Sequence, residues 1–236
     1  TAPIPPVSDR KDKVKYQESK INRKKFVSGQ KNFGLGFNFC NFNASYRQTL
    51  MEATRDIPAE ELSALRDPAT RRGAFDRLVG TYLRPLYWHA RRLVVVHEDA
   101  EDVVQETFIR AYDKIGTFRG GAGELGAWLY RIATNTALTM LRRRRPGLFS
   151  SLDDVSRILA SRVAEECGED ADRTLVRFQQ AILELPLKQR LVFNLRYYDR
   201  MPYGEIARVL GQREETLKVN YHHAVQKLKE KLTREL

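Results

Sequence analysis

A one-sided apolar stripe over residues 98–115 limits how this chain can fold more than any other feature. Ala100, Val103, Val104, Thr107, Phe108, Ala111, Tyr112 and Ile115 recur at intervals of three and four, a spacing that only a helix gathers onto one face. The same period returns in Ala74-Phe75-Leu78-Val79-Tyr82-Leu83, in Leu125-Trp128-Leu129-Ile132-Ala133-Thr136-Leu141, and in Leu175-Phe178-Ile182-Leu183. No long alternation of period two occurs, so the expected fold class is all-α. Pro58 followed by Ala59-Glu60-Glu61 is a helix start, with proline and acids in the first turn. Pro85 is expected to break or kink the helix that holds Leu78, and a new one is expected from Leu86 to Val95. Gly116 to Gly123 reads as a mobile loop, and a long helix is expected from about Leu125 to Arg144. The longest aliphatic run, Leu93 to Val96, is far short of the ~20 apolar residues that cross a bilayer.

The helical pattern falls into two blocks, giving two small helical domains joined by a flexible linker. The first spans 57–145. Residues 146–172, rich in Ser, Asp and Glu with one weak helical stretch at Val155 to Val163, form the linker. The second spans 173–236. Residues 1–50 have no periodic face, and carry ten basic and three acidic residues of the 41 and 30 in the chain. Of the chain's +11 net charge, +7 therefore lies in that first fifth. Two readings fit it: a basic arm on nucleic acid, or sequence foreign to the functional protein, with Met51 as a candidate initiator. The second is favoured, because helix-forming sequence starts abruptly after Met51. The opening Thr1-Ala2-Pro3-Ile4-Pro5-Pro6 has no apolar secretory core. Cys40 and Cys167 match no zinc or redox spacing, so two reduced thiols in a cytoplasmic protein are expected. An excess of basic residues favours polyanionic partners.

The second block ends in a short helix closed by glycine, Pro202 to Gly211, and a longer helix from Glu215 to about Leu232. Leu217, Tyr221, Ala224, Leu228 and Leu232 form its buried stripe, against Ile206, Ala207 and Leu210. A small residue before a glycine turn permits the close crossing of a helix-turn-helix, whose second helix enters the major groove. The outward positions are Thr216, Lys218, Val219, Asn220, His222 and His223. Asn can read adenine, Lys can reach guanine or phosphate, and Val can pack on a thymine methyl. An inert helical hairpin fits the same spacing. His222 and His223 point about 100° apart and do not share a metal.

The stripe over 98–115 has an opposite face, in which Asp102, Gln105, Glu106, Ile109 and Asp113 recur at three and four. Spacing alone fits a solvated acidic face or, because Ile109 is apolar, a patch that receives a partner helix. With Asp99 to Phe108, Trp128 to Asn135, Leu183-Glu184-Leu185-Pro186 and the helix-turn-helix in this order, the chain from Ala74 to Leu232 resembles bacterial RNA polymerase sigma factors of the small extracytoplasmic-function (ECF) type.

The resemblance implies that Asp102, Gln105, Glu106 and Ile109 dock on core RNA polymerase. It implies that Phe118, Arg119, Asn135, Arg142 and Arg143 hold the −10 element of promoter DNA as a melted strand. Arg213, Thr216, Lys218, Val219, Asn220, His222 and His223 would read the −35 element as duplex. An anti-sigma partner is also implied. Two departures stand out. The loop Gly120-Gly121-Ala122-Gly123-Glu124 has less side-chain material than the family's usual Ser- and Phe-bearing version, and Gln212-Arg213 replaces the usual Ser or Thr cap of the reading helix. Trp128 lies on the inward stripe and is assigned to the core. The sequence holds no paired carboxylates, nucleophile–base set or metal cluster, so no catalysis, cofactor, metal or small-molecule substrate is expected. Two further readings are a two-domain regulator that binds duplex operators without polymerase, and an adaptor that binds polymerase but no DNA.

Overall fold

The computed structural model describes residues 57–143 and 173–234. The expectations for residues 1–50, for the linker at 146–172, for Arg144 and Arg145, and for both cysteines lie outside the described residues. Among the described residues the regular structure is helical: α1 (Ala59–Arg66), α2 (Arg71–Val94), α3 (His97–Lys114), a 3-10 turn (Ile115–Thr117), α4 (Ala122–Arg143), α5 (Arg173–Leu183), α6 (Leu187–Tyr197), α7 (Tyr203–Leu210) and α8 (Glu214–Arg234). No described helix is long and apolar enough to cross a membrane.

Pro85 does not break the chain. α2 runs unbroken through it for 24 residues. Leu78, Tyr82, Leu86 and Leu93 are buried on both sides of the proline. At about 1.5–3 kcal/mol per large apolar side chain, this burial exceeds the ~3 kcal/mol that an interior proline costs. The helix ends at Val95, whose φ of 67° is exceptional for a β-branched residue. Its N–H still bonds the Arg91 carbonyl at 2.9 Å. The corner turns the chain back into α3, where Glu98 and Asp99 sit in the first turn and complement the helix dipole. Phe75 meets Phe108 and Tyr112 edge-on, at 6.2 and 5.0 Å between ring centres, and so joins α2 to α3.

α4 begins three residues earlier than the apolar stripe suggests. The Glu124 carboxylate accepts the Gly121 N–H at 3.0 Å, which satisfies one of the otherwise orphaned amides at the helix start. In the C-terminal block, Arg200 takes a left-handed φ of 52° after α6. Gly211 closes α7 at φ 66°, ψ 36°, with its N–H on the Ala207 carbonyl, the conformation for which glycine has no Cβ penalty. The helix-turn-helix is present as α7 and α8.

The two helical domains are packed together. α7 lies along α4, and Ile206, Val209 and Leu217 share one hydrophobic core with Leu93, Leu125 and Leu129. Trp88 of α2 enters a second cluster otherwise built from Ala181, Ile182, Leu185, Phe193, Tyr198, Ala224 and Leu228. Val209, missing from the stripe expected for α7, is buried because this short helix has a neighbour on two sides.

Candidate nucleic-acid interface

On α3 the apolar stripe is buried from Ala100 to Ala111, so the opposite face is turned outward. Asp102 is exposed, and Gln105, Glu106 and Ile109 are half-buried. Glu106 accepts a hydrogen bond from Arg110 Nε at 2.7 Å. The pair borders an open cleft of about 360 Å³ completed by Thr136, Thr139, Met140 and Arg143 of α4. The structure thus brings Arg143, expected on the −10 side, beside Glu106, expected on the polymerase side.

The loop from Phe118 to Gly121 is short and held. Arg66 of α1 donates to the carbonyls of Phe118, at 3.1 Å, and Gly120, at 2.7 Å. Its guanidinium also stands 6.0 Å from the Phe118 ring centre. On the ring's other contact is Trp128, at 5.0 Å and tilted by 39°. Trp128 is half-buried rather than a full core residue, because its neighbour is this loop. Gly120 explains the small side chains of the loop: a Cβ built there would lie 2.5 Å from Phe118 Cζ. Arg119, Asn135, Arg142 and Arg143 are exposed and Phe118 is half-buried. Those groups border one ring and the outer side of α4.

Arg213, just before α8, and Thr216, Lys218, Val219, His222 and His223 on it are exposed, and Asn220 is half-buried. Val219, 54% exposed, is the one large hydrophobic side chain left in solvent among the described residues. Lys218 Nζ lies 5.8 Å from the ring centre of Tyr203 on α7. Glu214 and Glu215 occupy the first turn of α8, where acids favour a helix start, and this offsets the absent Ser or Thr cap. The rings of His222 and His223 are 6.1 Å apart and mutually tilted. No group of three metal-ligating side chains occurs among the described residues.

Two family models match: "Sigma-70 region 2" over residues 78–146 and "Sigma-70, region 4" over residues 175–228. The chain is 32% identical over 167 residues to the ECF RNA polymerase sigma factor SigW of Bacillus subtilis, across 67% of this chain and 89% of that one. It belongs to the ECF family of RNA polymerase sigma factors. Another relative of this sigma factor is the RNA polymerase sigma-H factor of Pseudomonas aeruginosa, 34% identical over 58% of this chain and 75% of that one. Among solved structures, sigma factor RpoE in complex with the anti-sigma factor NepR from Bartonella quintana is 26% identical. It matches with a TM-score of 0.54 over 67% of this chain and 96% of that chain. CnrH, in complex with the cytosolic domain of CnrY, is 25% identical and matches with a TM-score of 0.55 over 76% of this chain and all of its own.

Sequence reasoning about this sigma factor missed Arg66, which no periodicity flags because its partners are backbone carbonyls 52 and 54 residues away. Glu101 was also missed. Burial holds its carboxyl above the ordinary carboxylate range; His97, 3.1 Å away, opposes the shift, and Glu98 and Asp102 reinforce it. Burial likewise raises the Tyr221 phenol, with Tyr203 adding and Arg196 opposing. Tyr221 therefore stays neutral beside the reading face.

Proposed function

We propose that this sigma factor docks on core RNA polymerase through Asp102, Gln105, Glu106 and Ile109, and reads promoter DNA with two separate surfaces. The −10 surface comprises Phe118, Arg119, Asn135, Arg142 and Arg143. The −35 surface is Arg213, just before α8, and the outer face of that helix from Thr216 through Lys218, Val219 and Asn220 to His222 and His223. The observation that carries the −35 assignment is Val219, exposed between Lys218 and Asn220 on a helix that follows a glycine-closed turn. An apolar side chain kept in solvent between a cation and an amide suits a base edge bearing a methyl group. The exposed arginines near Phe118 suit a single strand, which binds through a basic track and stacking surfaces. The protein acts as a non-catalytic initiation subunit in the cytoplasm, needs no cofactor, and has an anti-sigma protein as a further partner.

Initiation assays with bacterial core polymerase, on templates selected from random DNA by the reconstituted holoenzyme, test this reading. Promoter-dependent transcripts are expected only when the protein is present. Absence of such transcripts, with DNA still bound by the protein alone, overturns it.

A further inference from the structure

We infer that Arg66 of α1 is a positioning residue for the melted strand: it clamps the carbonyls of the residues on either side of Arg119 and so fixes how that cation is presented. The inference rests on the proposed −10 reading, in which Arg119 meets the strand. One nitrogen, Arg66 Nη2, donates to the Phe118 carbonyl at 3.1 Å and to the Gly120 carbonyl at 2.7 Å. Both of its hydrogens are thereby used. The guanidinium also stands 6.0 Å from the Phe118 ring centre, within the range of a cation–π contact. Arg119 lies between the two clamped residues, and its own side chain is exposed.

The loop does not hold this shape by itself. Its ends are fixed locally, with the Phe118 N–H on the Ile115 carbonyl at 3.2 Å and the Gly121 N–H on the Glu124 carboxylate at 3.0 Å. Between them lie Arg119 and Gly120, and Gly120 must stay without a Cβ because Phe118 Cζ would stand 2.5 Å from it. Glycine at that point widens the range of backbone shapes open to the loop. A loop ordered only on contact with DNA subtracts its ordering entropy from the affinity, whereas one ordered beforehand does not. A guanidinium suits this task, since hydrogen bonds from a charged donor are about twice as strong as neutral ones.

Arg66 is anchored in its turn. Leu62 and Leu65 bury one side of α1, and α1 packs on the 3-10 turn that leads into the loop. Arg71, at the start of α2, donates from Nε to the Leu65 carbonyl and from Nη2 to the Arg66 carbonyl, each at 3.0 Å, which closes the end of α1. The same Nη2 would stand 3.3 Å from a Cβ at Gly116 in the 3-10 turn, so Arg71 is wedged between the helix end and that turn. Arg77 Nε donates to the Glu61 carboxylate at 3.0 Å and ties the start of α1 to α2. Arg66, Arg71 and Arg77 all precede residue 78, where the match to sigma-70 region 2 begins. The brace is thus supplied by chain ahead of the matched segment, to a loop inside it.

The test uses the full chain bound to core polymerase, with the single-stranded −10 segment of a promoter selected by the holoenzyme as the probe. Arg66→Met should weaken binding of that strand by about 10-fold, the worth of one hydrogen bond to a charged group, while affinity for core polymerase is unchanged. Arg66→Lys keeps the charge but has a shorter reach and no planar fork, so it should recover little of the loss. Because Arg66 acts through Arg119, Arg66→Met should weaken binding hardly further once Arg119→Met is present. Full recovery by lysine, or losses that multiply in the double variant, marks Arg66 as a direct phosphate contact and overturns the inference; so does unchanged binding by Arg66→Met. If Arg66→Met loses its helical circular dichroism, Arg66→Gln decides in its place. A second readout needs no DNA. Trp128, 5.0 Å from the Phe118 ring, should become more accessible to acrylamide in Arg66→Met, with Trp128→Phe supplying the background from Trp88, the other of the chain's two tryptophans. Quenching equal to that of the parent overturns the brace. A parent holoenzyme that binds the selected strand no better than an unrelated one ends the −10 reading, and the quenching result then judges the brace by itself.

Discussion

Replacing Gly120 by alanine puts a Cβ 2.5 Å from Phe118 Cζ, 2.9 Å from Phe118 Cε2 and 2.8 Å from Glu124 Oε2. Carbon atoms in contact prefer about 3.5–4.0 Å, so the ring must retreat by about 1 Å. Phe118 is confined by Trp128 and Arg66, and Glu124 cannot swing away without releasing the Gly121 N–H that it caps. Overpacking costs about 1–3 kcal/mol and loss of the cap about 1 kcal/mol. The backbone of Gly120 is not left-handed, so the unfolded chain loses about 0.4–1 kcal/mol of entropy in return. A net destabilisation of about 1–3 kcal/mol is expected, which lowers Tm by roughly 3–10 °C for a domain of this size. Gly80→Ala is the control. Gly80 lies inside α2 with nothing within 4 Å of a built Cβ, so alanine should stabilise by about 0.5–1 kcal/mol. Thermal unfolding of the full chain, followed by circular dichroism, compares them. Equal shifts, or a rise in Tm for Gly120→Ala, would refute the packing argument.

Glu106→Lys replaces a carboxylate by a third cation beside Arg110 and Arg143. Polymerase affinity should fall by at least about 10-fold, while stability changes by no more than about 1 kcal/mol, as is usual for an exposed ion pair; native gel shift with core polymerase and thermal unfolding measure the two. Asn220→Ala should weaken discrimination at one −35 base pair by about 1–3 kcal/mol without loss of polymerase binding, as read by competition among single-base promoter variants. Alkaline titration at 295 nm should find Tyr198 and Tyr221 ionising above the ordinary phenol value, since burial raises both, Tyr198 far more strongly. Their neutral forms are favoured by folding, so stability is constant below the ordinary phenol value near 10. It is lost as pH rises above that, because the unfolded chain releases protons that the native chain keeps.

Helix periodicity carried most of the fold because each stripe reports its own burial locally. Ala100 to Ala111 on α3 and Leu125 to Leu141 on α4 needed no tertiary information. The glycine closing α7 was equally legible, since a left-handed C-terminal residue is a local requirement. What escaped depended on partners distant in sequence. Pro85 stays inside α2 because the same face is buried on both sides of it. Val95 turns a corner at a backbone angle that valine rarely adopts, and only its complete burial offsets the strain. Asp199 drew no notice in the sequence, because nothing near it in the chain announces Arg92, His89 and Tyr130. The candidate site was legible as residue types, yet the arrangement of its loop was not. Arg66 and the Phe118–Gly120 contact belong to packing between α1, the loop and α4.

The same limit applies to charge. A surplus of +11 treats every arginine as available to a polyanion, but burial divides them. Arg92 is committed to Asp199, and Arg190, 1% exposed, donates to the Leu183 carbonyl at 3.1 Å. Neither can release counterions from a phosphate while the chain is folded. Arg119, Arg142, Arg143 and Arg213 are exposed, and each that meets a phosphate adds about one to the salt slope of DNA binding.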